Sequence, residues 1–123
     1  MPVAQQLSQQ VPPPPAAPKR FARPEEISQC QTYRDAVRLA WETRSRPHMT
    51  QRTLAEECGL YAPHVSQYLH ATPVDHKGNR RLDLPADRIA AFEQAVGNHA
   101  VTQYLVQSAM LTIMEEVISQ RRA

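Results

Sequence analysis

Apolar residues recur along this chain at helical rather than strand spacing, with polar residues between them. Tyr33, Val37, Ala40 and Trp41 make one stripe, which predicts a helix from Ser28 to Thr43. Between Gln51 and His70, Leu54, Leu60, Val65 and Leu69 cover the inner faces of two shorter helices. Ala55 falls where those two helices cross, and a larger side chain there would push them apart. Gly59 stands where the first of them must end and a positive φ is needed. Ile89, Phe92 and Val96 mark a further helix from Pro85 to Val96, with Gly97 as its stop.

The last predicted helix, Asn98 to Gln120, is patterned differently. Ala100, Tyr104, Leu111, Met114 and Ile118 share one side. Val106, Met110, Ile113 and Val117 lie on an adjoining side, and Ser108, Thr112, Glu115 and Ser119 mark the polar strip that remains. A helix apolar over more than half its circumference needs two surfaces to cover it. Its own domain is expected to supply one. A second copy of the chain is expected to supply the other, through Val106, Met110, Ile113, Met114 and Val117.

Helix starts within Gln51–His70 sharpen the picture. Thr50 is a good N-cap, because its hydroxyl can accept from an unpaired amide of the first turn. Met49 and Leu54 are placed to form a hydrophobic staple. Pro63 suits the first turn of the second helix, where its missing N–H costs nothing. Tyr61 before it lacks the short oxygen-bearing side chain that normally caps such a helix.

Through Gln51, Ala55, Gly59, Val65 and Leu69, the segment resembles the helix-turn-helix of the Cro/C1-type (XRE-like) phage and bacterial transcriptional regulators. The resemblance covers residues 51–70 well and residues 28–105 loosely. It implies an all-α fold: a compact five-helix, lambda-repressor-like domain that binds double-stranded operator DNA, usually as a homodimer. On that resemblance the helix from Ala62 to His70 would enter the major groove, which admits one α-helix. Its outward face presents Ala62, Pro63, Ser66, Gln67 and His70 as base readers. Gln67 is the strongest of these, because a carboxamide pairs bidentately with adenine.

Phosphate contacts are expected from Gln51 and Arg52 at a helix start. Arg44 and Arg46 in the preceding connection join them, as do Lys77, Arg80 and Arg81 in the loop HKGNRR around the Gly78-Asn79 turn. Arg34 and Arg38, one turn apart, are read as outward, either solvated or on phosphate.

Composition sets the frame around this unit. The chain has 123 residues, the scale of one domain. Residues 1–24 hold the run Pro12-Pro13-Pro14-Pro15 and few large apolar side chains, so they are expected to form a disordered Pro/Gln-rich arm. Residues 25–123 then make the DNA-binding domain, with residues 98–120 as its dimerisation helix. The net charge of +2 is modest, but its arginines are concentrated near the two short helices. No secretory signal or bilayer-length apolar run is visible, so a cytoplasmic, nucleoid-associated protein without a membrane partner is expected. Cys30 and Cys58 are read as free thiols.

Nothing in the pattern asks for catalysis. The five histidines include no pair at three- or four-residue spacing, and no cysteine cluster completes a metal site. With three glycines there is no phosphate-cradling loop. No catalytic residue, metal, cofactor or small-molecule ligand is therefore expected. The competing function is a protein-interaction module on the same fold, such as an assembly factor, anti-repressor or antitoxin-type partner.

Overall fold

The computed structural model describes residues 18–122, and these are mostly helical with no strand among them. The helices are α1 (Pro24–Ser28), α2 (Tyr33–Glu42), α3 (Gln51–Cys58), α4 (Ala62–Tyr68), α5 (Ile89–Val96, after a 3-10 turn Ala86–Arg88) and α6 (Ala100–Arg122). The core gathers Ile27, Val37, Leu54, Val65, Phe92 and Val101 between them. It is centred where α3 meets α4 and α5, and where α2 crosses the base of α6.

Caps explain most of the boundaries. Thr50 Oγ1 accepts from the Thr53 N–H at 3.2 Å and starts α3. Gly59 at φ 63° ends it, letting the Leu60 N–H reach the Ala55 carbonyl at 2.9 Å. Met49 and Leu54 are both buried, as the staple requires. Gly97 at φ 76° ends α5. Asn98 then starts α6: its Oδ1 accepts from the Ala100 N–H at 3.1 Å, and its buried Nδ2 donates to the Ala40 carbonyl at 2.9 Å.

Several boundaries differ from the sequence reading: α4 ends at Tyr68 rather than His70, and the stretch expected as helix from Pro85 opens with a 3-10 turn, so that α5 begins at Ile89. The stretch expected as one helix from Ser28 is interrupted after α1. Thr32 Oγ1 and the Asp35 N–H, with Asp35 Oδ2 and the Thr32 N–H, close a reciprocal capping box at 3.1 and 3.2 Å. That box starts α2 five residues late, at Tyr33.

The expected disordered arm ends earlier than residue 24. Most of it, residues 1–17, lies outside the described residues. Beyond them the Arg20 N–H donates to the Gly97 carbonyl at 3.0 Å, and the Arg20 carbonyl accepts from the His99 N–H at 2.9 Å. The Gln103 side chain bonds both the N–H and the carbonyl of Ala22. This segment is held by backbone bonds rather than by apolar burial, which is why its composition concealed it.

The largest departure concerns α6. Ala100 and Val101 are buried and Tyr104 is half-buried, but every residue from Leu105 to Arg122 is exposed. Leu111 and Ile118, outside the surface expected to meet a second copy, are not covered by their own domain either and stand about half exposed. The overhang is about 27 Å long at 1.5 Å per residue. Each such side chain forgoes about 1.5–3 kcal/mol by staying exposed.

Candidate nucleic-acid interface

α4 is a seven-residue helix with weak ends. Tyr61 gives it no side-chain cap, and no glycine follows Leu69. Its inner side is fixed by burial of Val65 and Tyr68. Its C-terminal carbonyls are closed from outside the helix by two arginines of α2. Arg34 Nη1 donates to the carbonyls of Gln67, Tyr68 and His70, the last two at 3.3 and 3.1 Å. Its Nη2 donates to the Leu82 carbonyl at 2.9 Å and to Asp83 Oδ1 at 3.0 Å. Arg38 Nε donates to the Leu69 carbonyl at 3.2 Å.

A cation at a helix C-terminus also meets the negative end of the helix dipole. The outward reading of Arg34 is therefore corrected: it is 6% exposed and positions α4. The signal that could have found it is the missing glycine cap of α4, which leaves four carbonyls in need of donors.

The opposite side of α4 is open. Ala62, Pro63, Ser66 and His70 are exposed, and Gln67 is half-buried. Gln67 Oε1 accepts from the Leu82 N–H at 3.2 Å, so two-point contact with a base requires giving up that bond. Ser66 Oγ donates back to the Pro63 carbonyl at 3.3 Å. His70 Nδ1 accepts from the Thr72 N–H at 3.2 Å.

Beside α4, residues 73–81 form a small loop closed by an antiparallel bridge between Val74 and Arg80. Asp75 organises its tip: Oδ1 accepts the N–H groups of Lys77 and Asn79, each at 2.9 Å. These bonds, the one from Asn79 first, hold its carboxyl below the usual carboxylate range. Gly78 turns the chain at φ 85°. Lys77 and Arg80 are exposed on this loop, Arg80 lying 3.6 Å from Asp83. Arg81 is half-buried, and its Nε is buried without a hydrogen-bond partner.

The remaining expected phosphate contacts divide. Gln51 and Arg52 are exposed at the start of α3, Arg52 loosely paired with Glu56 at 3.6 Å. Arg44 and Arg46 are engaged with other groups of the protein, Arg44 half-buried and Arg46 exposed. Arg44 lies 4.0 Å over the Trp41 ring and bonds the carbonyls of Trp41 and Pro47. Arg46 grips Glu57 with both terminal nitrogens and also donates to the Ala95 carbonyl. Hydrogen bonding from Arg46 lowers the Glu57 carboxyl pKa.

Cys58, buried in the core, has its thiol pushed up to about 11 chiefly by burial and stays neutral. Both cysteines are free. Among the described residues no cluster of three or more His, Cys, Asp or Glu side chains could hold a metal ion, and no helix is long and apolar enough to cross a membrane. Comparison of the chain with protein-family models, with curated proteins and with solved structures finds no match.

Proposed function

We propose that this protein is a sequence-specific, double-stranded DNA-binding transcriptional regulator of helix-turn-helix type, acting as a dimeric repressor. α3 and α4 are the two helices of the unit, and α4 enters the major groove. The observation that carries the reading is the two-sided character of α4. Val65 and Tyr68 anchor it and two arginines close its end, while Ala62, Pro63 and Ser66 are exposed; Arg52 on the helix before it and Lys77 and Arg80 on the loop after it are exposed cations. A short helix anchored on one side and open on the other, with exposed cations on the elements before and after it, suits a groove lined by phosphates.

Base reading falls to Ser66 and Gln67, with Ala62 against a thymine methyl. Gln51, Arg52, Lys77 and Arg80 supply backbone contacts that carry no sequence information.

A protein-interaction module is the second reading. It is favoured by the internal engagement of Arg44 and Arg46, which leaves fewer cations for phosphates.

Salt separates the two, because each phosphate contact releases counterions and steepens the loss of affinity with salt. Affinity for duplex DNA should fall steeply with salt, and Lys77→Ala with Arg80→Ala should weaken every duplex and flatten that slope. Gln67→Ala should instead cost about 1–3 kcal/mol on the preferred site and little on random DNA. A binding constant indifferent to salt and to these variants would remove DNA as the ligand.

A further inference from the structure

The overhang of α6 keeps large apolar side chains in water along most of its length, from Leu105 to Ile118. Val106, Met110, Ile113 and Val117, with Gln120 next, recur at alternating four- and three-residue spacing, the 3.5-residue mean of a coiled-coil seam. The helix meets its own domain through Ala100, Val101 and Tyr104, and by hydrogen bonds of Thr102 with Glu93 and of Gln103 with Ala22. At 3.6 residues per turn the seam lies across the helix from Ala100, Val101 and Tyr104; its first residues, Val106 and Met110, border the body, while Ile113 and Val117 beyond them are exposed. At its base Phe21, 74% exposed, stacks on His99 at a centroid distance of 4.9 Å. Phe21 shares an open groove of about 720 Å³ with Val106, Met110 and Met114.

Charge selects the occupant and its direction. With Met110 and Val117 as a positions, Glu116 is a g position and Arg121 is the e position five residues on. In a parallel, in-register coil a g residue of one chain faces the following e residue of the other. Glu116 then meets the partner's Arg121, and Arg121 meets the partner's Glu116. Within one helix the two are five residues apart and point to different sides, so they do not serve each other. An antiparallel pair on the same seam sets Glu116 against the partner's Ala109 and leaves both charges without a mate.

We propose that the overhang pairs with a second copy of this chain, parallel and in register, through Val106, Met110, Ile113 and Val117, with Glu116 and Arg121 exchanging ion pairs between copies. The pairing names the geometry of the dimer in the function proposed above and does not depend on what α4 binds.

Gln120, the next d position, provides the test. In the full chain, Gln120→Cys should give a disulfide-linked dimer under mild oxidation, while the unsubstituted chain, with Cys30 and Cys58 as internal control, should not. An antiparallel pair would instead cross-link only when chains carrying Gln120→Cys and Gln103→Cys are mixed, which would overturn the proposal. Glu116→Arg and Arg121→Glu should each weaken self-association roughly tenfold by placing like charges together, and their equimolar mixture should restore it. A mixture no tighter than either variant alone would show that the charges do not meet between chains.

A monomeric unsubstituted chain in analytical ultracentrifugation would also overturn the pairing. Both assays are read without DNA. A cross-linked dimer indifferent to every duplex would therefore refute the regulator alone, and a monomer that binds a half-site would refute the pairing alone.

Discussion

Arg34 bonds carbonyls at the end of α4, the Leu82 carbonyl and the Asp83 carboxylate from a side chain almost wholly out of water. Removing it leaves those carbonyls short of donors in a place water reaches poorly. Arg34→Ala should therefore cost about 2–3 kcal/mol of stability, read by urea denaturation, with Arg34→Lys recovering only part because it lacks the guanidinium fork. An unchanged urea midpoint would show that α4 is held by Val65 and Tyr68 alone. Tyr33 makes a comparable bond, its hydroxyl donating to the Leu84 carbonyl at 2.9 Å. Burial first, then the charges of Asp83 and Glu93, push its pKa from 10 to about 12. The neutral phenol is thus favoured by the fold, and its contribution is intact below pH 10, the unfolded value. It is lost as pH rises through about 12, because the unfolded chain gives up this proton first. Stability measured across that window should fall for the unsubstituted chain and less for Tyr33→Phe. Residue roles of this kind were hardly legible beforehand. Arg34 and Tyr33 act on partners dozens of positions away in the chain, and periodicity reports only which side of a helix a residue occupies.

Helix ends were far more legible, because their causes are local. Thr50, Gly59 and Gly97 do what their residue types dictate at those positions. The same glycines differ in what a side chain would meet. A Cβ at Gly59 finds open space, so Gly59→Ala should cost about 1–2 kcal/mol, the strain of a left-handed alanine alone. A Cβ at Gly97 would stand 2.5 Å from Ser45 Oγ and 2.9 Å from Ser45 Cβ. Overpacking adds to strain there, so Gly97→Ala should cost about 2–4 kcal/mol. Thermal melts of the two variants check the order, and an equal loss would contradict the packing of Ser45 against the α5–α6 corner. The apolar stripe itself begins at Tyr33, where α2 starts; the expected helix reaches back to Ser28 over residues 29–32, which hold no large apolar side chain to mark the break. Only the Thr32–Asp35 cap divides α1 from α2, and it is a pair of polar residues.

At the scale of the whole molecule, the apolar arc of α6 was readable but its coverage was not. Periodicity shows that a helix has an apolar side, and burial depends on how far the rest of the chain reaches. Here close packing ends at Tyr104, and beyond it the body only borders open grooves with Val106 to Met114, so every residue from Leu105 to Arg122 is exposed. The α4 face has the converse history: its inward residues followed from Val65, whereas the bond between Gln67 and Leu82 depends on a loop that the pattern left unshaped. On the proposed function, a stalk that joined two heads and a helix that each head presented to a groove would together make a reader of symmetric sites. Selection of bound duplexes from a random pool by the full chain tests that claim most directly. A dimeric reader should enrich a two-fold symmetric sequence with half-sites about one helical turn, roughly 34–36 Å, apart. A pool that stays random after repeated rounds, with no duplex retained at low salt, would contradict it.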